Sequence, residues 1–146
     1  MSKIFTIYTA GKMGGLIYEE QMKWRLDLQK AIEKYTDKNV MFIHPPKFYQ
    51  YDENYHKSER EVMDWDINHA VESDIVVVYL PNIEGSIGTH MELGAVYDAN
   101  RRGNKHIYVI GIGKTECKHP WIDLCLHRQE DNVEDAAEYI VDYLLI

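Results

Sequence analysis

Cysteine is scarce in this chain: Cys117 and Cys125 are the only two in 146 residues. A small secreted fold that depends on cross-links is therefore not expected, and the cytoplasm is the expected compartment. Positive charge is also short, with 16 Lys and Arg against 24 Asp and Glu, a net charge of −8. That argues against a nucleic-acid polymer as partner, whose phosphates demand a basic surface. A nucleotide monomer stays open, because a helix N-terminus and oriented amides can hold one phosphate without net positive charge. Apolar runs do not exceed strand length, so no membrane span is expected. Met1-Ser2-Lys3-Ile4 leads directly into a strand, and no signal peptide is visible. Internal repeats, low-complexity tracts and linkers are lacking too. The apolar share of 45% is ordinary for a folded protein, and one domain over residues 1–146 is the natural reading.

What is present alternates between strand and helix patterns. Ile4 to Thr9 is β-branched and aromatic and ends in the loop Ala10-Gly11-Lys12-Met13-Gly14-Gly15. Trp24, Leu28, Ala31, Ile32 and Tyr35 form one helical stripe. Asn39 to His44 reads as a second strand closed by Pro45-Pro46, and Lys47 to Lys57 as a Tyr-rich loop over the site. Ser58 to Glu72 carries the stripe Met63, Ile67, Ala70, Val71, with Ser58 and Glu61 spaced as a capping box. Asp74 to Leu80 is continuously apolar after its Asp, as a central strand covered on both faces should be. A helix from about Gly88 to Arg101 follows, with Gly103 as its left-handed C′ residue. Lys105 to Ile112 is a fourth strand, and whether Trp121 to His127 adds a fifth is open. Asp131 or Asn132 caps a last helix bearing Val133, Ala136, Ala137, Ile140, Val141 and Leu144. The order implies a three-layer α/β fold: a parallel sheet of four or five strands flanked by helices, joined by right-handed crossovers.

Several motifs fail on inspection. Gly11-Lys12 is not a phosphate-binding P-loop, since Thr6 and Met13 stand where glycine and Ser or Thr are needed. Gly111-Ile112-Gly113 follows the fourth strand and has Glu116 in place of a third glycine, a poor dinucleotide fingerprint. The glycines at 11, 14 and 15 mean either a close backbone approach or a tight turn. Cys117, His119, Cys125 and His127 make two Cys-x-His pairs, but structural zinc sites use wider spacings, so no metal is expected. Trp121 reads equally as a ring for a base or partner and as plain packing. Glu92 sits in the first turns of its helix, where the macrodipole favours an ionised carboxylate that can attack carbon directly.

The run Ser86-Ile87-Gly88-Thr89-His90-Met91-Glu92-Leu93-Gly94-Ala95 resembles the signature of the nucleoside 2-deoxyribosyltransferase superfamily. Tyr8 at the end of the first strand and Asp66 in Trp65-Asp66-Ile67-Asn68 agree in order and spacing, so the resemblance spans roughly Ile4 to Ile112. It implies a flavodoxin-like (Rossmann-like) fold and a homodimer or higher homo-oligomer with shared active sites. The implied reaction is cleavage of the N-glycosidic bond of a 2′-deoxynucleoside or its 5′-monophosphate, without a cofactor. By the resemblance Glu92 is the nucleophile, Asp66 handles the proton of the leaving base and Tyr8 orients the nucleophile. The expected substrate contacts are Gly11, Ser86, Gly88 and Thr89, together with Trp121 on its own reading as a ring for a base. Ser86 departs from the acidic residue of transferases acting on free nucleosides and resembles relatives that hydrolyse 5′-monophosphates. A hydroxyl beside the Gly88 and Thr89 amides suits a phosphate. The chain also ends on a helix, Tyr143-Leu144-Leu145-Ile146, where transferases place a terminal aromatic near the site. The rival reading is a non-catalytic nucleotide-binding sensor of the same fold.

Overall fold

The computed structural model describes residues 3–48, 56–103 and 105–146. Its strands are β1 (Ile4–Ala10), β2 (Asn39–Ile43), β3 (Ile75–Tyr79), β4 (Tyr108–Ile112) and β5 (Arg128–Glu130). They form one sheet in the order β2-β1-β3-β4-β5, every neighbouring pair parallel. The helices are α1 (Tyr18–Tyr35), α2 (Glu59–Glu72), α3 (Ile87–Arg101), α4 (Pro120–Cys125) and α5 (Val133–Tyr139). The chain leaves β1 towards β2 on one side and returns to β3 on the other. Between β1 and β3 the strand order therefore reverses, which opens a crevice beyond their carboxyl ends.

Period-two alternation sorts the core into two layers. Phe5, Ile7, Ile75, Val77 and Ile110 pack under Trp24, Leu28 and Ile32 of α1 and Ala136 and Ile140 at the C-terminal end of the chain. Tyr8, Ala10, Val76, Val78 and Val109 pack under Ala70 of α2, Leu93 and Val96 of α3, and Ile122 of α4. β3 lies between β1 and β4 with helices on both faces, which is why its apolar run shows no polar alternation.

Several boundaries differ from the sequence reading. Tyr35 closes α1 and is exposed, so the stripe stops at Ile32. In α2 only Ala70 is buried; Met63 and Ile67 face the crevice described below instead of the core. The Ser58 hydroxyl accepts the Glu61 amide at 3.2 Å, while the Glu61 carboxylate takes the Lys57 amide instead of closing a reciprocal box. β2 ends at Ile43, and Pro45–Phe48 make a 3-10 turn; most of the Tyr-rich loop lies outside the described residues. β4 begins at Tyr108, because the Ile107 backbone is held by the Asn100 side chain, N–H to Oδ1 at 2.7 Å and carbonyl to Nδ2 at 2.8 Å. Gly103 follows α3 at φ +77°, as its C′ role requires.

Residues 120–125 are helical, not a strand, because Pro120 starts the turn and His119 Nδ1 accepts the Trp121 amide at 3.3 Å. The fifth strand is Arg128–Glu130. Asn132, not Asp131, caps α5 by accepting the Asp135 amide at 2.8 Å, and the chain continues into a π-helical turn at Ile140–Leu144. Among the described residues no helix is long and apolar enough to cross a membrane.

Candidate active site

Tyr8 comes from the middle strand region of the sheet, in register with Ile43 of β2 and Val76 of β3, and is fully buried. Its even position in β1 points the ring to the α2–α3 side. There its hydroxyl donates to Glu92 Oε2, across 84 residues of sequence. Glu92 lies in the second turn of α3 and is only 9% exposed. Asp66 is half-buried on α2, which packs against α3. Asp66, Glu92, Met63, Ile67, Gly88 and Met91 line a cavity of about 190 Å³. Three elements distant in sequence thus bring two carboxyls and a phenol together beyond the sheet's carboxyl edge.

The environment changes their protonation. Burial pushes Glu92 up from 4.5 to about 7; the Tyr8 hydrogen bond opposes this, Asp66 adds to it, and Arg25 opposes it. Burial thus opposes the ionisation that the helix dipole favours. Burial likewise pushes Asp66 from 3.8 to about 7, against Arg25. Tyr8 is raised well above 10, first by burial and then by the carboxylates around it. Both carboxyls are thus raised to about 7, so that near neutrality one can be protonated while the other is ionised. Such a pair supplies both a nucleophile and an acid.

The other expected residues fall into two groups. Gly88 lines the carboxylate cavity. Ser86 and Thr89 stand one turn apart at the start of α3, hydroxyl to hydroxyl at 2.7 Å, with Thr89 buried; neither lines the cavity. Gly11 follows β1 on the opposite side of the sheet. A Cβ there would lie 3.1 Å from the Trp24 ring and 3.3 Å from Tyr79 Cβ, so its glycine is a close-approach residue for the Trp24–Tyr79 stack. Gly15, at φ +81°, serves the turn instead. Trp121 is not brought to the carboxylates. It is 71% exposed on α4 and lines a separate groove of about 350 Å³ with Tyr97 and Leu124.

A larger cavity, about 610 Å³, lies between α1 and the start of α5 on the other face of the sheet. Its charged lining, Asp27, Lys30, Lys34, Asp131 and Glu134, is exposed, and it lacks a buried carboxyl pair. Size does not identify the site here; chemistry does. Among the described residues no group of three or more His, Cys, Asp or Glu is placed to hold a metal ion. His119 is a helix cap, and His127 Nδ1 accepts the Val109 amide at 2.9 Å.

Sequence reasoning missed Arg25, which is buried without any exposed surface beside this crevice. Its signal was its spacing: with Leu28 and Ile32 it falls on the buried stripe of α1, a place where a cation is out of character.

No family model matches the chain, and no curated protein matches it. Solved structures do. A 2-deoxyribosyltransferase from Bacillus psychrosaccharolyticus is 22% identical with a TM-score of 0.65, over 92% of this chain and 91% of that one. A conserved protein from Enterococcus faecalis V583 is 16% identical with a TM-score of 0.64, over 94% and 98%. A 2-deoxyribosyltransferase from Leishmania mexicana is 17% identical with a TM-score of 0.56, over 97% and 99%. The chain has the α/β fold of the 2-deoxyribosyltransferases, a five-stranded parallel sheet between layers of helices, along nearly its whole length.

Proposed function

We propose that this protein cleaves the N-glycosidic bond of a 2′-deoxynucleoside or its 5′-monophosphate and passes the deoxyribosyl group to another base or to water. The observation that carries this reading is the Tyr8 hydroxyl bonded to Glu92 in a cavity that also holds Asp66. A deoxyribosyl C1′ placed there meets an anionic Glu92. The Glu92 oxygen bonds to C1′ as the C1′–N bond breaks, and the bond's electrons leave with the base. Asp66, raised by burial to about 7, gives the base its proton from its protonated form. The second base, or water, then attacks C1′, loses a proton to Asp66 and frees Glu92. Two displacements retain the configuration at C1′, with charge spread over the ring oxygen in each transition state. Tyr8 fixes the Glu92 carboxylate and tempers its basicity. The chemistry needs no cofactor.

Fold likeness to 2-deoxyribosyltransferases supports transfer. The paired hydroxyls of Ser86 and Thr89 at the head of α3 support a phosphorylated substrate, since a carboxylate there would repel it. Met91 and Met63 at the cavity, and Ile87 next to Gly88 in the chain, are exposed apolar side chains, which supports coverage by a second copy of the chain. Sedimentation of the purified protein as a monomer at micromolar concentration would remove that part of the reading.

The deciding experiment incubates the protein with deoxynucleosides and with deoxynucleotides, with and without a free acceptor base, and follows both products by chromatography. Exchange identifies a transferase and release without exchange a hydrolase. Tight binding with no turnover would replace this reading by the sensor. Ser86→Asp should weaken phosphorylated substrates more than free nucleosides; equal loss on both would refute the phosphate assignment.

A further inference from the structure

Arg25 is enclosed in the middle of α1, with no exposed surface. Its Nε donates to Thr9 Oγ1 at 3.1 Å, Nη1 to the Gln21 carbonyl at 2.5 Å and Nη2 to the Gly11 carbonyl at 3.4 Å. All three acceptors are neutral. Among the described residues no carboxylate oxygen lies within 4.0 Å of its guanidinium. A guanidinium keeps its proton, and a cation withdrawn from water needs opposite charge within reach of its field. Thr9, which Arg25 grips, is the chain neighbour of Tyr8, whose hydroxyl bonds Glu92, so the opposite charge on the far side of β1 comes from Glu92 of α3 and from Asp66 of α2 in the same cavity.

The cation is also fixed in place. Its Nε partner Thr9 lies 2.8 Å from His44 Nδ1, and His44 Nε2 lies 2.8 Å from Gln29 Oε1. Burial, with Lys47 and Arg25 adding to it, pushes His44 down to about 4, so it is neutral near pH 7. The Thr9 hydroxyl has two acceptors in reach, His44 Nδ1 and the Ile43 carbonyl at 3.2 Å, so its proton is taken up there and its lone pair is left to Arg25. The carbonyls of Gln21 and Gly11 hold the other two nitrogens. A flexible surface lysine could not present charge with this constancy.

Resting on the reading of Glu92 as the reacting carboxylate, we propose that Arg25 is a positioning residue whose charge, clamped to Thr9 and Gly11 behind the β1 terminus, is the fixed counter-ion that favours the Glu92 anion against the cost of its burial. Arg25 does not touch substrate; it acts through the field across one strand. The titratable groups acting on Glu92 are Tyr8 of β1, Asp66 of α2 and Arg25 of α1. Tyr8 stays neutral and favours the anion through its hydrogen bond, the larger of the two stabilising influences; Asp66 disfavours the anion, and Glu59 of α2 lines the same cavity. Arg25 is the cation among them.

The test compares the full chain carrying Arg25→Gln, which keeps donors for Thr9 and Gly11 but loses the charge, with Arg25→Lys, which keeps the charge. The Glu92 carboxyl is titrated by carbon-13 NMR in the unliganded protein and assigned by its absence in Glu92→Gln. We expect the midpoint to rise by about one pH unit in Arg25→Gln and by less than half as much in Arg25→Lys. The acid limb of base release should move by the same amount. An unmoved midpoint in folded Arg25→Gln overturns the proposal, even in an active enzyme. Conversely, no turnover in the unmodified chain removes the reaction but leaves the titration to decide the coupling. If Arg25→Gln does not fold, Glu92→Gln tests the pair from the other side. Without its counter-charge the Arg25 Nε–H should shift and exchange faster with solvent, and an unchanged resonance and exchange rate overturns the proposal.

Discussion

Glu92→Gln should abolish turnover, which any nucleophile assignment requires, but it should also stabilise the fold in a pH-dependent way. The folded carboxyl titrates at about 7 against an ordinary 4.5, because burial disfavours its charge. The folded pKa lies above the unfolded one, so the stability contributed by this group is fully present below about 4.5 and is lost as pH rises through about 7. Raising a carboxyl by that interval corresponds to roughly 3 kcal/mol at pH 8. Glutamine imitates the protonated acid: its Oε1 can still accept from Tyr8, so the penalty disappears. Its NH2 group brings donors that need acceptors in the cavity, which returns part of the gain. A net increase of about 2 kcal/mol at pH 8 remains, or roughly 4–8 °C in Tm for a chain of this size. At pH 4 only the cost of the amide donors remains, about 1 kcal/mol, so Glu92→Gln should melt roughly 2–4 °C below the parent. The assay is thermal unfolding by circular dichroism between pH 4 and 8, both proteins in the same buffers. If the melting difference is the same at pH 4 and pH 8, Glu92 does not ionise in a desolvated place and the electrostatic description of the site is wrong.

Tyr8→Phe removes the donor to Glu92 without emptying the core; kcat should fall by about 10- to 100-fold with KM little changed, read from initial rates of base release. Asp66→Asn withdraws the proton for the leaving base, so activity should drop by about 10²- to 10³-fold and lose the basic limb of its pH profile. Gly11→Ala forces a methyl against the Trp24–Tyr79 stack and should destabilise by about 1–3 kcal/mol in urea unfolding, with no change in the pH optimum of the folded fraction. Trp121→Ala should leave the Glu92 titration untouched, because the ring lies in another groove; a moved midpoint would mean the two grooves communicate.

The layer order was legible in the chain because each signal was local and periodic. β3 announced itself by four consecutive buried residues, and α5 by alternating small and branched side chains below an Asn cap. Boundaries failed where a side chain took over a backbone partner. Asn100 occupies the Ile107 backbone and delays β4, and His119 with Pro120 turns a strand-like apolar run into α4. At the site, Glu92 and Tyr8 were found through a resemblance carried by their neighbours. Their hydrogen bond and the protonation it governs depend on enclosure that no local pattern records. Asp66 looked like a solvated helix flank, since the crevice wall it belongs to exists only once α2 packs against α3. Arg25 was passed over because a cation in an apolar stripe makes sense only when β1 and the acids beyond it are in view.

The cavity of about 190 Å³ is smaller than the pockets that usually enclose a whole small-molecule ligand. In the proposed reaction it has room for a pentose ring but not for the heterocycle attached to it. Recognition of the heterocycle would then fall to surfaces outside the α2–α3 wall. Bond breaking and base choice would be written in separate parts of the protein, and discrimination between purines and pyrimidines could be re-engineered without disturbing the residues that make and break the bond.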